Sequence, residues 1–203
     1  VKLDITVIEK STGYEQTTTE LVTVADSPVT LQLIPESSAF KPTLPFSMLV
    51  VTETPSGEPV EAEVTVNVYY YDEDYEQVGK QVVRTVETKR GTGLAQFTPP
   101  KKAVRMTVDA SSGSAYAYNE ITSSYSPSGN FIHVQQQGDL HLQVGDTASF
   151  TVASTAQAKT FYYEVVARGR VVFTSSTPDE IAFKVTPAMA PSAQLLVYQI
   201  LPN

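Results

Sequence analysis

Apolar and polar residues take turns along most of this chain, and that habit restricts the fold more than any other feature. Leu3, Ile5 and Val7 alternate with Lys2, Asp4 and Thr6, and Val29, Leu31 and Leu33 with Thr30 and Gln32. Val64, Val66, Val68 and Tyr70 alternate with Thr65, Asn67 and Tyr69, and Val104, Met106 and Val108 with Arg105, Thr107 and Asp109. A period of two sends successive side chains to opposite faces of a strand, so each run predicts one buried and one wet face. Turn signals separate the runs: Ser11-Thr12-Gly13, Pro55-Ser56-Gly57, Gly91-Thr92-Gly93, Ser112-Gly113, Gly138-Asp139, Gly145-Asp146 and Arg168-Gly169-Arg170. No segment carries a 3.6-residue period. The sequence therefore predicts an all-β protein of tandem antiparallel β-sandwiches, of the fibronectin or immunoglobulin kind.

Two proline-broken polar stretches divide the chain. Pro35-Glu36-Ser37-Ser38-Ala39 leads into Lys41-Pro42-Thr43-Leu44-Pro45, and Ser123 to Asn130 is small, polar and interrupted by Pro127. The expected units are residues 1–37, 38–124 and 125–203. The later two each suit one sandwich of about seven strands. The first holds two or three strands, too few to bury a sheet face alone. At the other end, Gln194 to Leu201 reads as a strand followed by a Pro202-Asn203 turn, with no further strand behind it. The expectation is a chain that starts inside one domain and stops inside another.

Charge narrows the partners. With a net charge of −8 and a pI near 4.7, the chain lacks the Lys and Arg surplus that phosphate binding needs. Nucleic acid is excluded, and an anionic membrane surface is equally disfavoured. No run approaches the ~18 apolar residues of a spanning helix, so no membrane insertion is expected. The absence of cysteine removes disulfides, thiolate zinc sites and cysteine nucleophiles together. No N-x-[ST] sequon follows Asn67, Asn119 or Asn130.

The residues that could carry chemistry are few. His133 lies between Ile132 and Val134, and His141 between Leu140 and Leu142, so each points to the polar face of its strand. Two such rings on paired strands could share a metal. With so few other ligands, the expectation is exposed strand histidines. The acidic cluster Asp72, Glu73 and Asp74 within "YYYDEDYEQ" offers oxygen ligands to a cation such as calcium. However, an EF-hand counted from Asp72 would need glycine at Gln77 and glutamate at Val83. A solvated hairpin tip joining Val64–Tyr71 to a strand near Gln81–Val86 is the better expectation, with Tyr69, Tyr70, Tyr71 and Tyr75 as a weak contact surface. "KRGTGLAQF", Lys89 to Phe97, lacks the lysine of a P-loop and the third glycine of a dinucleotide site, and reads as a turn into a strand. Lys101 and Lys102 are a small solvated basic spot. No G-x-S-x-G elbow accompanies the serines, so a Ser-His-Asp triad is rejected. No catalytic, metal or cofactor-binding residue is expected, and the chain is not expected to be an enzyme.

Several stretches nonetheless resemble one family, the alpha-2-macroglobulin and complement thioester proteins. "FKPTLPF", Phe40 to Phe46, resembles the F-K-P-G-[LM]-P-[FY] opening of its fourth macroglobulin-like domain, with Thr43 where glycine is usual. "GTGLAQF" resembles the D-G-x-A-x-F turn and strand later in that domain. "SPSGNFIHV" resembles the opening of the fifth domain, and "FYYEVVARGRVV" its central hairpin with a [SA]-[RK]-G turn. "MAPSAQLLVY", Met189 to Tyr198, is the most specific, resembling M-[AV]-P-S-[AS]-[RQ]-L-[LV]-[VA]-Y. "VIEKSTG" resembles a strand and turn late in the third domain. Six matches occur in the family's order.

The resemblance implies the end of a third macroglobulin-like domain in 1–37, a fourth in 38–124, and a fifth in 125–203 without its last strand. It implies that another chain or fragment of the same protein completes the fifth. It further implies a scaffold role in a secreted, extracellular protein that acts by protease entrapment or innate-immune opsonisation. Its partners would be neighbouring macroglobulin-like domains and proteases or other proteins. The family's G-C-G-E-Q thioester motif is absent here, and no bait-like segment is visible. The lack of cysteine leans towards complement-like or cell-surface branches. A reading of a different class, a tandem immunoglobulin-like adhesion or receptor ectodomain binding a protein ligand, stands beside it.

Overall fold

The computed structural model describes residues 1–203 apart from Thr23, Asp26, Asp139, Leu140, Ala158, Lys159, Pro202 and Asn203. The expected Pro202-Asn203 turn, Asp139 of the Gly138-Asp139 turn and Leu140 beside His141 thus lie outside the described residues. Among those described, strands and turns account for the fold, and the one helical element is a single 3-10 turn at Pro187–Met189.

The chain opens with a lone hairpin, β1 (Lys2–Ile8) paired antiparallel with β2 (Glu15–Leu21). The alternation expected to bury Leu3, Ile5 and Val7 leaves them 46%, 48% and 67% exposed. Two strands cannot enclose a face.

Next comes a sandwich of two sheets. One has the order β3 (Thr30–Pro35), β5 (Phe46–Glu53), β8 (Thr92–Phe97). The other runs β4 (Ala39–Phe40), β10 (Ala115–Ser123), β9 (Arg105–Ser112), β6 (Glu63–Tyr71), β7 (Val82–Glu87). All pairs are antiparallel except the short β4–β10 contact. Inward residues of both sheets merge into one core that includes Phe40, Phe46, Met48, Val66, Val68 and Met106.

One expected boundary shifts. Pro35–Ala39 was to separate units 1–37 and 38–124, yet β3 pairs with β5 in the register Thr30↔Glu53 to Pro35↔Met48. Leu31 and Leu33 pack on the second unit's core. The proline break is a crossing between the two sheets of one sandwich, because local composition marks a turn but not which strands the turn serves.

The two-residue turns have a common backbone geometry. Arg90 and Gly91, and again Arg168 and Gly169, all have positive φ, the backbone twist of a type I′ two-residue turn. Thr43, which stands where the family has glycine, keeps the left-handed conformation at φ 67. Its N–H donates to the Pro99 carbonyl at 2.8 Å. A β-branched residue is strained there.

Beyond Ser124 a second sandwich follows. One sheet is β11 (Ile132–Gln137), β12 (Thr147–Ser154), β15 (Glu180–Lys184). The other is β14 (Arg170–Thr177), β13 (Phe161–Ala167), β16 (Gln194–Tyr198). Tyr163 and Phe173 from one sheet meet Phe183 from the other at ring-centroid distances of 6.3 and 5.7 Å. β16 lies at one end of its sheet, laddered to β13.

Candidate functional site at the seam between the sandwiches

The two sandwiches meet where the β3–β4 turn and the segment after β4 approach β11 and β16. Lys41 Nζ donates a 2.7 Å hydrogen bond to the Ile132 carbonyl, joining residues 91 positions apart. A charged donor makes this stronger than a neutral pair. Beside it, His133 Nδ1 lies 3.9 Å from Glu36 Oε1. Phe46, Val134 and Leu195 contribute apolar walls to the resulting cleft of about 500 Å³.

His133 departs from its expected place. It was to be an exposed strand histidine, but its side chain is only 13% accessible, and Nε2 is enclosed without a hydrogen-bond partner. The polar face of β11 is covered by the neighbouring sandwich, which strand periodicity does not reveal. His141 is exposed and sits between β11 and β12 rather than within a strand. The described residues bring no cluster of three or more His, Cys, Asp or Glu side chains together for a metal.

The acidic tip is a hairpin connection, β6 to β7, as its strand pairing shows. Asp72 is turned inward on its own loop, its Oδ1 accepting the N–H groups of Asp74 (3.1 Å) and Glu76 (2.9 Å). That is an Asx-type turn, and it explains the acid at this position without a cation. Tyr75 is drawn back under Arg105, whose guanidinium carbon lies 4.2 Å from the ring centroid. Gly91 and Gly93 of "KRGTGLAQF" serve packing. A Cβ on Gly91 would meet Pro59 Cβ and the Thr52 carbonyl at 2.8 Å each, and one on Gly93 would meet Val86 at 2.4 Å. Lys101 and Lys102 are exposed in the turn before β9.

Sequence reasoning missed Lys41 and Glu36 as residues of the seam. Both stand in the polar, proline-rich stretch that was noticed as a junction, and that location was the available signal.

Residues 132–203 match the alpha-2-macroglobulin bait region domain. Complement C3 of Lethenteron camtschaticum is 27% identical over 219 residues, covering 98% of this chain and 12% of that protein. The chain is thus similar to the alpha-2-macroglobulin and complement proteins, most directly over residues 132–203. Among solved structures, a Salmonella alpha-2-macroglobulin mutant is similar at 10% identity and TM-score 0.39, covering 98% of this chain and 18% of that one. Trypsin-activated Escherichia coli alpha-2-macroglobulin is similar at 11% identity and TM-score 0.39, covering 96% and 15%. The chain spans about an eighth of the length of the curated relative it matches. The residues matched to the domain named for a bait region form β11 to β16 and their turns. No helix among the described residues is long and apolar enough to cross a membrane.

Proposed function

We propose that this chain is a non-enzymatic scaffold segment of a secreted thioester protein that acts by protease entrapment or by opsonisation. In this reading the hairpin β1–β2 belongs to a third macroglobulin-like domain, residues from about 30 to 124 form the fourth, and 125–203 belong to the fifth. Its immediate partners are neighbouring macroglobulin-like domains of the same protein. The reactive chemistry lies elsewhere in that protein.

The observation that carries the reading is the seam. Among the described residues, the two sandwiches meet at the Lys41–Ile132 hydrogen bond, the 3.9 Å approach of His133 to Glu36 and a cleft of about 500 Å³. Polar interfaces of this kind let rigid units re-orient when a distant restraint is released. A scaffold that must rearrange after cleavage needs that property, whereas an enzyme needs a fixed constellation.

Methylamine labelling of the intact protein tests it. One equivalent should be incorporated at a glutamine outside residues 1–203, with loss of that uptake after proteolytic activation. A protein that incorporates none, and whose remaining sequence holds further sandwiches, would be an adhesion or receptor ectodomain instead.

A further inference from the structure

We propose that the outer face of the five-stranded sheet in the first sandwich docks an arginine-bearing segment of a partner protein. One guanidinium sits among the carboxylates at the end of β6 and β7, and a second lies over the tyrosines of β10. The inference goes beyond the scaffold reading and does not depend on it, since it concerns one solvent-facing surface of this chain.

Two kinds of group stand without partners on this face. Glu63 of β6 and Glu87 of β7 lie directly opposite one another, and like charges in that position repel. With Glu61, just before β6, they line an open recess of about 310 Å³. Lys89 borders the same recess. Among the described residues, no ion pair or side-chain hydrogen bond reaches any of these three carboxylates or the Lys89 ammonium. On β10, Tyr116 and Tyr118 are 63% and 54% exposed. They are two residues apart and so share the outward side of the strand. Tyrosine is among the side chains that most often anchor protein interfaces.

The same surface shows which cation fits it. The guanidinium carbon of Arg105, on β9, lies 4.2 Å from the Tyr75 ring centroid, and its Nη1 donates to Glu120 Oε1 at 2.9 Å. The Tyr118 hydroxyl donates to the other Glu120 oxygen at 3.3 Å. A planar cation between a tyrosine ring and a carboxylate is therefore already built here, and it occupies Arg105 and Glu120. Asp109 is also engaged, accepting from Asn67 Nδ2 at 2.9 Å. What remains is the Tyr116 ring and three carboxylates set against the single ammonium of Lys89. Arginine suits both, because its guanidinium stacks on aromatic faces, forks onto carboxylates and is more weakly hydrated than an ammonium. Thr65 and Tyr116 both pair with Ser111, and Glu63 lies two residues from Thr65. Strand and residue spacings then put Tyr116 and Glu63 about 12 Å apart. Two arginines four positions apart on an extended segment span about 13 Å. The chain's net charge of −8 draws such a partner in from longer range.

A short peptide carrying two arginines four positions apart is the probe, titrated calorimetrically into the full 203-residue chain at low salt. Tyr116→Ala, a change at an exposed ring, should weaken binding about fivefold. Tyr116→Phe keeps the ring and should bind as the parent does. Glu63→Gln combined with Glu87→Gln relieves the repulsion between them, so the chain stays folded, and should weaken binding about fivefold. The same peptide with lysine for arginine should bind about threefold more weakly. Glu15→Gln combined with Glu20→Gln makes an equal charge change on the β1–β2 hairpin and should alter affinity less than about twofold. Absence of binding overturns the proposal. So does an affinity indifferent to Tyr116→Ala, or one reduced equally by the hairpin pair. Tyr116-dependent binding of neutral maltohexaose in place of the peptide would overturn it as well, and would make the face a sugar platform. None of these results bears on methylamine uptake, so failure here is distinct from failure of the scaffold reading.

Discussion

The two sandwiches use the same alternating pattern and reach different degrees of closure. In the first, sheets of three and five strands enclose a core in which Phe46, Met48, Val66 and Met106 are 0–1% exposed. In the second, sheets of three strands each leave a cavity of about 300 Å³ between Phe150, Phe183 and Leu195, among other apolar walls. Phe173 and Leu196 are 38% and 53% exposed. A period of two dictates which residues face inward, but the number of strands in each sheet decides whether that inside is sealed. The first sandwich is built as a rigid block, and the second is open to accommodation.

Core truncation should separate them most clearly. Phe40→Ala should cost about 4 kcal/mol, because its ring is wholly enclosed in the first core and borders no cleft. Phe183→Ala, bordering space that is already open, should cost about 2 kcal/mol. Urea unfolding followed by far-UV circular dichroism measures both, and equal costs would erase the contrast.

Turn glycines give the next contrast. Gly91→Ala meets backbone and Pro59 at 2.8 Å and also has positive φ, so about 3 kcal/mol is expected. Gly169→Ala has positive φ with nothing within 4 Å of the new atom, and about 1 kcal/mol is expected from backbone strain alone. Thermal melts of the two variants compare them directly.

Buried polar links are a smaller effect. Thr52 and Thr88, both enclosed, share a 2.7 Å hydroxyl contact, and Thr52 Oγ1 also donates to the Val60 carbonyl at 2.5 Å. Thr52→Val should cost about 2 kcal/mol by leaving buried partners unmet. Ser154→Ala in the second sandwich loses a 2.6 Å bond to a partly exposed Gln199 and should cost less than about 1 kcal/mol. Denaturant midpoints with unchanged slopes would register both.

One further effect has the opposite sign. Burial pushes the Tyr70 phenol up to about 12, against a weaker pull from Arg84, and its hydroxyl has no partner. The folded phenol holds its proton to about pH 12 while the unfolded one releases it near pH 10. Stability from this group is therefore intact below about pH 10 and lost as pH rises through about 12. Tyr70→Phe should raise stability by about 1 kcal/mol at neutral pH and remove that share of the alkaline decline. A variant that melts lower at pH 7, or declines as steeply above pH 10, would show that the hydroxyl is satisfied.

What the sequence made legible was local. The inward faces of β6 and β9 follow from Val64–Tyr70 and Val104–Val108, the tip at Asp72 from its acidity, and the Arg168-Gly169 turn from its residues. The partners were not legible. β3 joins the sheet of β5 rather than β1, because pairing is set by distant residues that no window of sequence contains. His133 is enclosed for the same reason: the residues covering it, Glu36 among them, are about a hundred positions away. The seam, where function is proposed, is the least local feature of the molecule.

The central claim is that the first sandwich is rigid and that the joint between it and the second moves. Amide hydrogen exchange of the intact protein, before and after proteolytic activation, tests it most directly. Protection across Val64–Tyr70 of β6 should be unchanged, while amides from Asn130 to Val134 at the joint should change. Widespread loss of protection within β6 would mean that activation unfolds the sandwich rather than turning it.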